Sequence, residues 1–309
     1  MLLFKIPYVR ITGALVLGYH LIYMPSFAVY KYYYREPLNL SNRYGDKSWV
    51  LITGASDGIG KEFAKQFAQQ GFNLFLVSRT EDKLKKISED LTKDHNVEVK
   101  YLIKDFAKAT NPEFFEDINE QTKELDVSVL VNNVGMASFT KFSEHSKQQI
   151  CDMIIVNTIP QTILAHEMLP RMLKRKQRSA IINLASVASV QPFTCLPVYS
   201  PTKAYNDFFS RGIVEDYKEN IDIMSVRPGF VSTNMTLNKR VEYDTITTEE
   251  CVSGALKSLG HDLVTNAHWK HGIFNYLLDI VPERTYQKYF EGRMRREVAQ
   301  IMRDAQSKS

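Results

Sequence analysis

Tyr199 and Lys203 stand four residues apart in the stretch VYSPTKAY, a spacing that puts both on one face of a helix. A free tyrosine has a pKa of about 10, too high for easy proton transfer in both directions near neutrality. A lysine one turn away stabilises the phenolate and lowers that pKa. Among 16 tyrosines one such pair is unremarkable by chance, so its surroundings have to carry the argument. Ser186 lies thirteen residues earlier, at the end of the apolar run AIINLAS, and Asn157 interrupts the apolar row MIIVNTI. A serine hydroxyl can donate to an oxygen that turns anionic, and a tyrosine can deliver a proton. Pro201 falls inside the same turn. A helix that begins near Val198 accepts it, because an N–H in the first turn has no intrahelical partner.

A second constellation could hold a nucleotide. VLITGASDGIG joins an apolar run directly to an amphipathic stretch, with Gly54, Gly58 and Gly60 in the turn. Glycines there allow a tight turn and close approach of backbone to a pyrophosphate, and the following helix adds unpaired N–H donors. The next apolar run, LFLVS, ends in Ser78-Arg79. An acidic residue at that point favours the 2′-hydroxyl of NAD, whereas a hydroxyl and a guanidinium suit a 2′-phosphate. The expected cofactor is therefore NADPH (NADP).

Both constellations need a scaffold, and the patterning supplies one. Short apolar runs at 49–53, 74–78, 99–103, 127–133, 180–186 and 221–226 alternate with helical patterns near 59–70, 81–94, 111–123, 146–174 and 198–219. Six strands alternating with helices predict an α/β fold, a doubly wound parallel sheet of the Rossmann kind. Nucleotide and reacting groups then meet at the carboxyl ends of the strands. Residues 229–246 have no clear period and read as a loop over the site. A net charge of +4 with acids matching bases along most of the chain argues against a nucleic-acid partner. Three scattered cysteines, Cys151, Cys195 and Cys251, form neither a disulfide framework nor a metal-ligand spacing, and fit a reducing compartment.

The ends of the chain differ from this middle. No acidic residue precedes Glu36, and ITGALVLGYHLIYMPSFAVY (11–30) carries no Lys, Arg, Asp or Glu. Twenty residues at about 1.5 Å each span roughly 30 Å, a bilayer core. The expectation is an N-terminal membrane-anchor helix, with tyrosines from Tyr19 to Tyr34 as an interfacial belt. A signal peptide, a mitochondrial presequence and a helix lying in the interface are the alternatives. His20 and Pro25 count against a span, and basic residues on both flanks leave orientation open. Near the other end, IFNYLLDIVP (273–282) is too short to span a bilayer. After it Tyr286, Tyr289, Phe290, Met294, Val298 and Ile301 recur at helical spacing beside Lys288, Arg293, Arg295, Arg296 and Arg303. That pattern predicts a basic amphipathic helix, packed on its own domain or docked on a membrane or partner. The expected organisation is 1–44 anchor and linker, 45–260 nucleotide-binding catalytic domain, and 261–309 C-terminal extension.

Over about residues 47–260 the sequence resembles the short-chain dehydrogenase/reductase family. TGASDGIG matches its TGxxxGxG, NNVG (132–135) its NNAG, YSPTK its YxxxK, and RPG (227–229) the Pro-Gly after the sixth strand. The resemblance implies a catalytic tetrad of Asn157, Ser186, Tyr199 and Lys203, in which Lys203 also holds the nicotinamide ribose and Asn157 anchors a water. It places cofactor contacts at Gly54, Ser56, Gly58, Ile59, Gly60, Ser78, Arg79, Asp105 (to the adenine), Asn132, Tyr199, Lys203, Pro228, Gly229 and Val231. More narrowly, ASDGIGKEFAKQF, LVSRTEDKLKKI and LVNNVGM resemble the microsomal branch with 3-ketoacyl-CoA reductase and 17β-hydroxysteroid dehydrogenase types 3 and 12. That implies reduction of a lipid ketone at the endoplasmic reticulum with the catalytic domain facing the cytosol, a mitochondrial membrane being the alternative. The ending DAQSKS lacks the dilysine signal common in that branch. A homodimer, or a non-catalytic place in a membrane assembly, is the competing expectation for partners and function.

Overall fold

The computed structural model describes residues 5–236, 245–285 and Gly292. The predicted basic helix beyond residue 285 lies outside the described residues, as does 237–244 of the predicted loop. The chain divides into two compact units, Met1–Pro37 and Leu38–Ser309.

The first unit is helical from Lys5 to Tyr34: α1 (Lys5–Gly18), a π-wound turn (Tyr19–Tyr23), α2 (Met24–Val29) and a second π-wound turn (Tyr30–Tyr34). Pro25 therefore does not end the helix. The preceding turn is wound wider, the sort of local adjustment that re-satisfies backbone groups around a proline. Tyr8–Tyr34 has a mean hydropathy of 1.3 over its most apolar window, 0% of it buried, and is long and apolar enough to cross a membrane.

The second unit is built on seven parallel strands: β1 (Trp49–Thr53), β2 (Asn73–Ser78), β3 (Val99–Ile103), β4 (Val127–Asn132), β5 (Ser179–Leu184), β6 (Ile221–Val226) and β7 (Val264–Thr265). They are ordered β3-β2-β1-β4-β5-β6-β7. The connecting helices are α4 (Gly58–Gln69), α5 (Glu81–His95), α6 (Glu116–Thr122), α7 (Lys147–Met172), α8 (Tyr199–Gly212), α9 (Val214–Tyr217) and α10 (Thr248–Ser258). Alternate strand residues feed two cores, as the two-residue period of a strand dictates. Val50, Ile52, Leu74 and Leu76 pack with Phe63 and Phe67 of α4 and Leu84 of α5 on one face. Leu51, Phe75, Val77 and Leu130 pack with Leu164 and Met168 of α7 on the other. The strand order reverses between β1 and β4, which opens a crevice at their carboxyl ends.

Two elements depart from the sequence reading. β7 pairs with the end of β6 through Ser225↔Val264 and Val226↔Thr265, so the sheet continues past residue 260 and is followed by α11 (Trp269–Ile280). At the other end, α3 (Leu40–Tyr44) belongs to the second compact unit, which begins at Leu38. Leu40 and Tyr44 are 2% and 0% exposed in the core. Asp222 of β6 clasps α3 from outside: Arg43 Nε and Nη2 donate to it at 2.6 and 3.0 Å and Tyr44 Oη at 2.7 Å. Arg178 adds two more hydrogen bonds at 3.2 and 2.8 Å.

Candidate active site

The turn between β1 and α4 is shaped by its glycines. Gly54 and Gly58 have φ of +65° and +53°, a region L side chains rarely adopt. At Gly60 the constraint is space, since a Cβ would stand 2.4 Å from both the Gly54 carbonyl oxygen and Asn133 Nδ2. Asp57 caps α4, accepting from the Gly58 amide at 2.7 Å, and pairs with Lys83 Nζ at 2.7 Å. Asn133 ties the turn to β4, with Nδ2 donating to the Thr53 and Gly54 carbonyls at 2.9 and 3.2 Å. In return Thr53 Oγ1 accepts from the Asn133 and Val134 amides at 3.0 and 3.1 Å.

This turn forms one wall of a cavity of ≈ 610 Å³ that runs across the carboxyl ends of the strands. Gly54, Ser56, Gly58 and Ile59 line it, and Ser78, Arg79 and Asp105 lie at the ends of the neighbouring strands. Ser56 and Ser78 hydroxyls are 2.7 Å apart. Pro228, Gly229 and Val231 supply the wall after β6. Gly60 stands behind the turn, buried, and shapes it from within. A glycine-lined helix N-terminus with an exposed guanidinium at the end of the adjacent strand fits a dinucleotide carrying a 2′-phosphate.

Asn132 does not line this cavity. It is 4% exposed at the end of β4, and its Nδ2 donates to Asn183 Oδ1 at 2.9 Å and toward the Gln161 carbonyl at 3.4 Å. Its neighbour Asn133 is the cavity residue. In a doublet at a strand end the two side chains leave in opposite directions, so the register decides which one meets the cleft.

Ser186, Tyr199 and Lys203 line the same cavity. Ser186 follows β5 and caps a short 3₁₀ turn, its Oγ accepting from the Ala188 amide at 3.1 Å. Tyr199 is the first residue of α8 and Pro201 lies within that first turn, as the spacing predicts. The Lys203 ammonium stands 5.7 Å from the Tyr199 ring centre and donates to the Leu184 carbonyl at 2.6 Å. Burial pushes the Tyr199 phenol up to about 12, against a hydrogen bond with the Ser186 side chain that pulls it down. Burial also pushes the Lys203 ammonium down to about 8. The shift is opposite to the lowering that the spacing predicts, because desolvation outweighs the hydrogen bond with Ser186.

Asn157 is 1% exposed in α7, and it grips the backbone beside the cavity. Oδ1 accepts from the Met136 amide at 2.8 Å, while Nδ2 donates to the Met136 carbonyl at 3.0 Å and Thr202 Oγ1 at 2.9 Å. Lys203 and Asn157 converge on Gly135: a Cβ there would lie 3.4 Å from Lys203 Nζ and 3.3 Å from Asn157 Oδ1. Motif reading did not single out Lys83, Asn133 or Gly135, nor the apolar walls Met136, Phe139, Phe193, Leu196 and Phe274. Asn133 and Gly135 belong to the NNVG run and had a signal there. The apolar walls come from separate loops and α11 and have none.

Comparison with known proteins agrees with this geometry. The family profile described as short chain dehydrogenase matches residues 48–244. Hydroxysteroid dehydrogenase-like protein 1 of Gallus gallus is 34% identical over 253 residues, 80% of this chain and 75% of that one. Very-long-chain 3-oxoacyl-CoA reductase-A of Danio rerio is 34% identical over 238 residues, 75% and 73% of the two chains. A solved short-chain dehydrogenase from Sphingobium yanoikuyae in complex with NADPH is 28% identical, with a TM-score of 0.65 over 76% of this chain and 97% of that one. By the extent of these matches and the residues gathered at the crevice, the chain belongs to the short-chain dehydrogenase family.

Proposed function

We propose that the protein is an NADPH-dependent reductase of a lipid ketone, either a 3-ketoacyl-CoA or a ketosteroid. As a member of its family it is an oxidoreductase acting between carbonyl and hydroxyl groups. The observation that supports the finer reading is the mixed lining of the cavity. A glycine turn, Arg79 and Lys83 line it with Ser186, Tyr199 and Lys203, and Met136, Phe139, Phe193, Leu196 and Phe274 complete it with apolar surface. Such a lining suits a largely apolar substrate with one polar reacting atom.

A bound nicotinamide supplies the hydride. Ser186 is proposed to donate a hydrogen bond to the substrate oxygen as charge develops on it. Tyr199 is the general acid that delivers the proton to the same oxygen. Lys203 holds its positive charge beside the phenol and favours the phenolate left after proton transfer. Asn157 fixes the Met136 backbone and, through Thr202, the first turn of α8, which keeps Tyr199 aimed. Arg79, with Ser78 and Ser56, is proposed to hold the 2′-phosphate, and Asp105 the adenine. The cytosolic face of the endoplasmic reticulum is the proposed site of action. The exposed apolar helix Tyr8–Tyr34 and the absence of a disulfide among the three cysteines support it.

The test is NADPH oxidation by the full chain in detergent against long-chain 3-ketoacyl-CoAs, ketosteroids and retinal. Turnover of one of the first two classes, lost in Tyr199→Phe, is the expected result. No turnover of any ketone, with the protein held in a fixed stoichiometric complex, supports the non-catalytic reading instead.

A further inference from the structure

α11 has two unlike faces. Toward the catalytic unit it presents His271, Asn275 and Leu278, buried at 1%, 6% and 1%, with Phe274 in the cavity wall. Gln191 Nε2 donates to the Leu278 carbonyl and pins the helix near its end. Away from the unit, Trp269, Ile273, Leu277 and Ile280 are 37%, 51%, 46% and 48% exposed. Their spacing of four, four and three residues aligns them in one stripe. A helix that closes a cavity from inside and offers an apolar stripe outside has an unmatched surface.

The occupant follows from the rest of the chain. Tyr8–Tyr34 is an exposed helix long and apolar enough to cross a membrane, and only residues 35–39 separate it from α3. Five extended residues reach at most about 18 Å along the chain. The tether enters that unit at the amino end of the β6–β7 edge, where Arg43 and Tyr44 hold Asp222 and Leu38 packs at Gly260. α11 follows β7 directly and packs its His271 against Gly229 after β6. The segment beyond it is rich in Arg and Lys, which suits anionic headgroups.

We infer that the outer face of α11 rests in the interfacial layer of a bilayer, so that the apolar part of the cavity is filled from lipid rather than from water. The docking stands on the stripe and the tether; its consequence for substrate entry rests on the lipid-ketone reading above.

The two tryptophans make the test direct, because Trp49 is buried at 7% exposure and Trp269 is on the stripe. Full-length protein recovered in floated phosphatidylcholine/phosphatidylserine vesicles is compared with and without lipids brominated near the headgroup end of the acyl chain. The expected result is bromine quenching of at least half of the Trp269 emission, absent in Trp269→Phe. Unquenched Trp269 overturns the inference, whether the stripe then proves covered by a second copy, by residues 286–309 or by water alone. In the second arm, Ile273→Glu/Leu277→Glu is expected to raise KM about tenfold for a vesicle-borne long-chain ketone, with kcat and KM for a short water-soluble ketone unchanged. Quenching without turnover of any lipid ketone by the unaltered protein would overturn the substrate reading and leave the docking standing.

Discussion

The carboxylate of Asp207 receives two hydrogen bonds, of 2.7 and 2.6 Å, from the guanidinium of Arg227. Asp207 stands one helical turn beyond Lys203 on α8, and Arg227 immediately precedes Pro228-Gly229. The pair therefore joins the helix that carries Tyr199 and Lys203 to the loop that walls the cavity after β6. Ser225 Oγ, at 2.8 Å, and Arg211 Nε, at 2.9 Å, complete the set around a carboxylate whose side chain is 2% exposed. Removing one member of such a buried pair leaves the other uncompensated, at a cost of about 3–5 kcal/mol. Asp207→Ala is expected to lose stability on that scale in urea denaturation and to lose turnover together with it.

Acid should act on the same pair. Burial opposes ionisation of Asp207, but the hydrogen bonds and charge of Arg227 outweigh it and hold the carboxyl below its usual range. Asp222 behaves alike, with burial overcome by Arg43, Arg178 and Tyr44. A folded-state value below the unfolded one adds stability above the ordinary carboxylate pKa of 3.8, and that stability is lost as pH falls through the depressed folded value. The melting temperature is expected to drop steeply below about pH 4. In Asp207→Asn part of that slope should be missing, which a pH series by circular dichroism would show.

Lys203 has the opposite signature. Its folded value of about 8, against 10.5 unfolded, means the unfolded chain binds more protons between those limits, so stability rises with pH across that window. The rise is on the order of 3 kcal/mol. Lys203→Met is expected to flatten the curve between pH 8 and 10.5 and to abolish turnover. A wild-type curve with no rise would contradict the buried state of this ammonium.

Tyr199→Phe keeps the ring and removes the proton. Turnover should fall about 10²- to 10⁴-fold, the usual worth of a placed general acid, with NADPH affinity nearly unchanged by fluorescence titration. Arg79→Glu addresses the cofactor instead. A charge-assisted hydrogen bond is worth about 1.5–3 kcal/mol, so KM for NADPH should rise about 10- to 100-fold while that for NADH does not.

A chain beginning at residue 38 keeps α3 and should fold as a soluble unit that reduces a water-soluble ketone. One beginning at Ser48 loses Leu40 and Tyr44 from the core and leaves Asp222 with Arg178 alone. It is expected to be less stable by about 3–5 kcal/mol in the same denaturation assay.

The five longer strands inside the sheet were legible because parallel strands buried on both faces read as continuous apolar runs. β7 was not, since two residues carry no period, and its pairing with Ser225 and Val226 is a tertiary fact. α3 has only five residues, and its place in the core comes from contacts with residues far along the chain. In the site, Ser186, Tyr199 and Lys203 could be read from type and spacing alone. The exchange of Asn133 for Asn132 could not, because strand register settles it. Nor could the high pKa of Tyr199, which depends on how much water the folded walls exclude.

The clasp of Arg43 on Asp222 joins residues 179 apart in sequence. During synthesis at about 5–20 residues per second, the acid that holds α3 leaves the ribosome some 10 to 40 s after the arginine that needs it. The apolar helix is therefore available to a membrane well before the unit behind it can close. Assembly of the sheet, whose β1 must wait for β4 while β7 completes the edge last, follows only after that helix has been made.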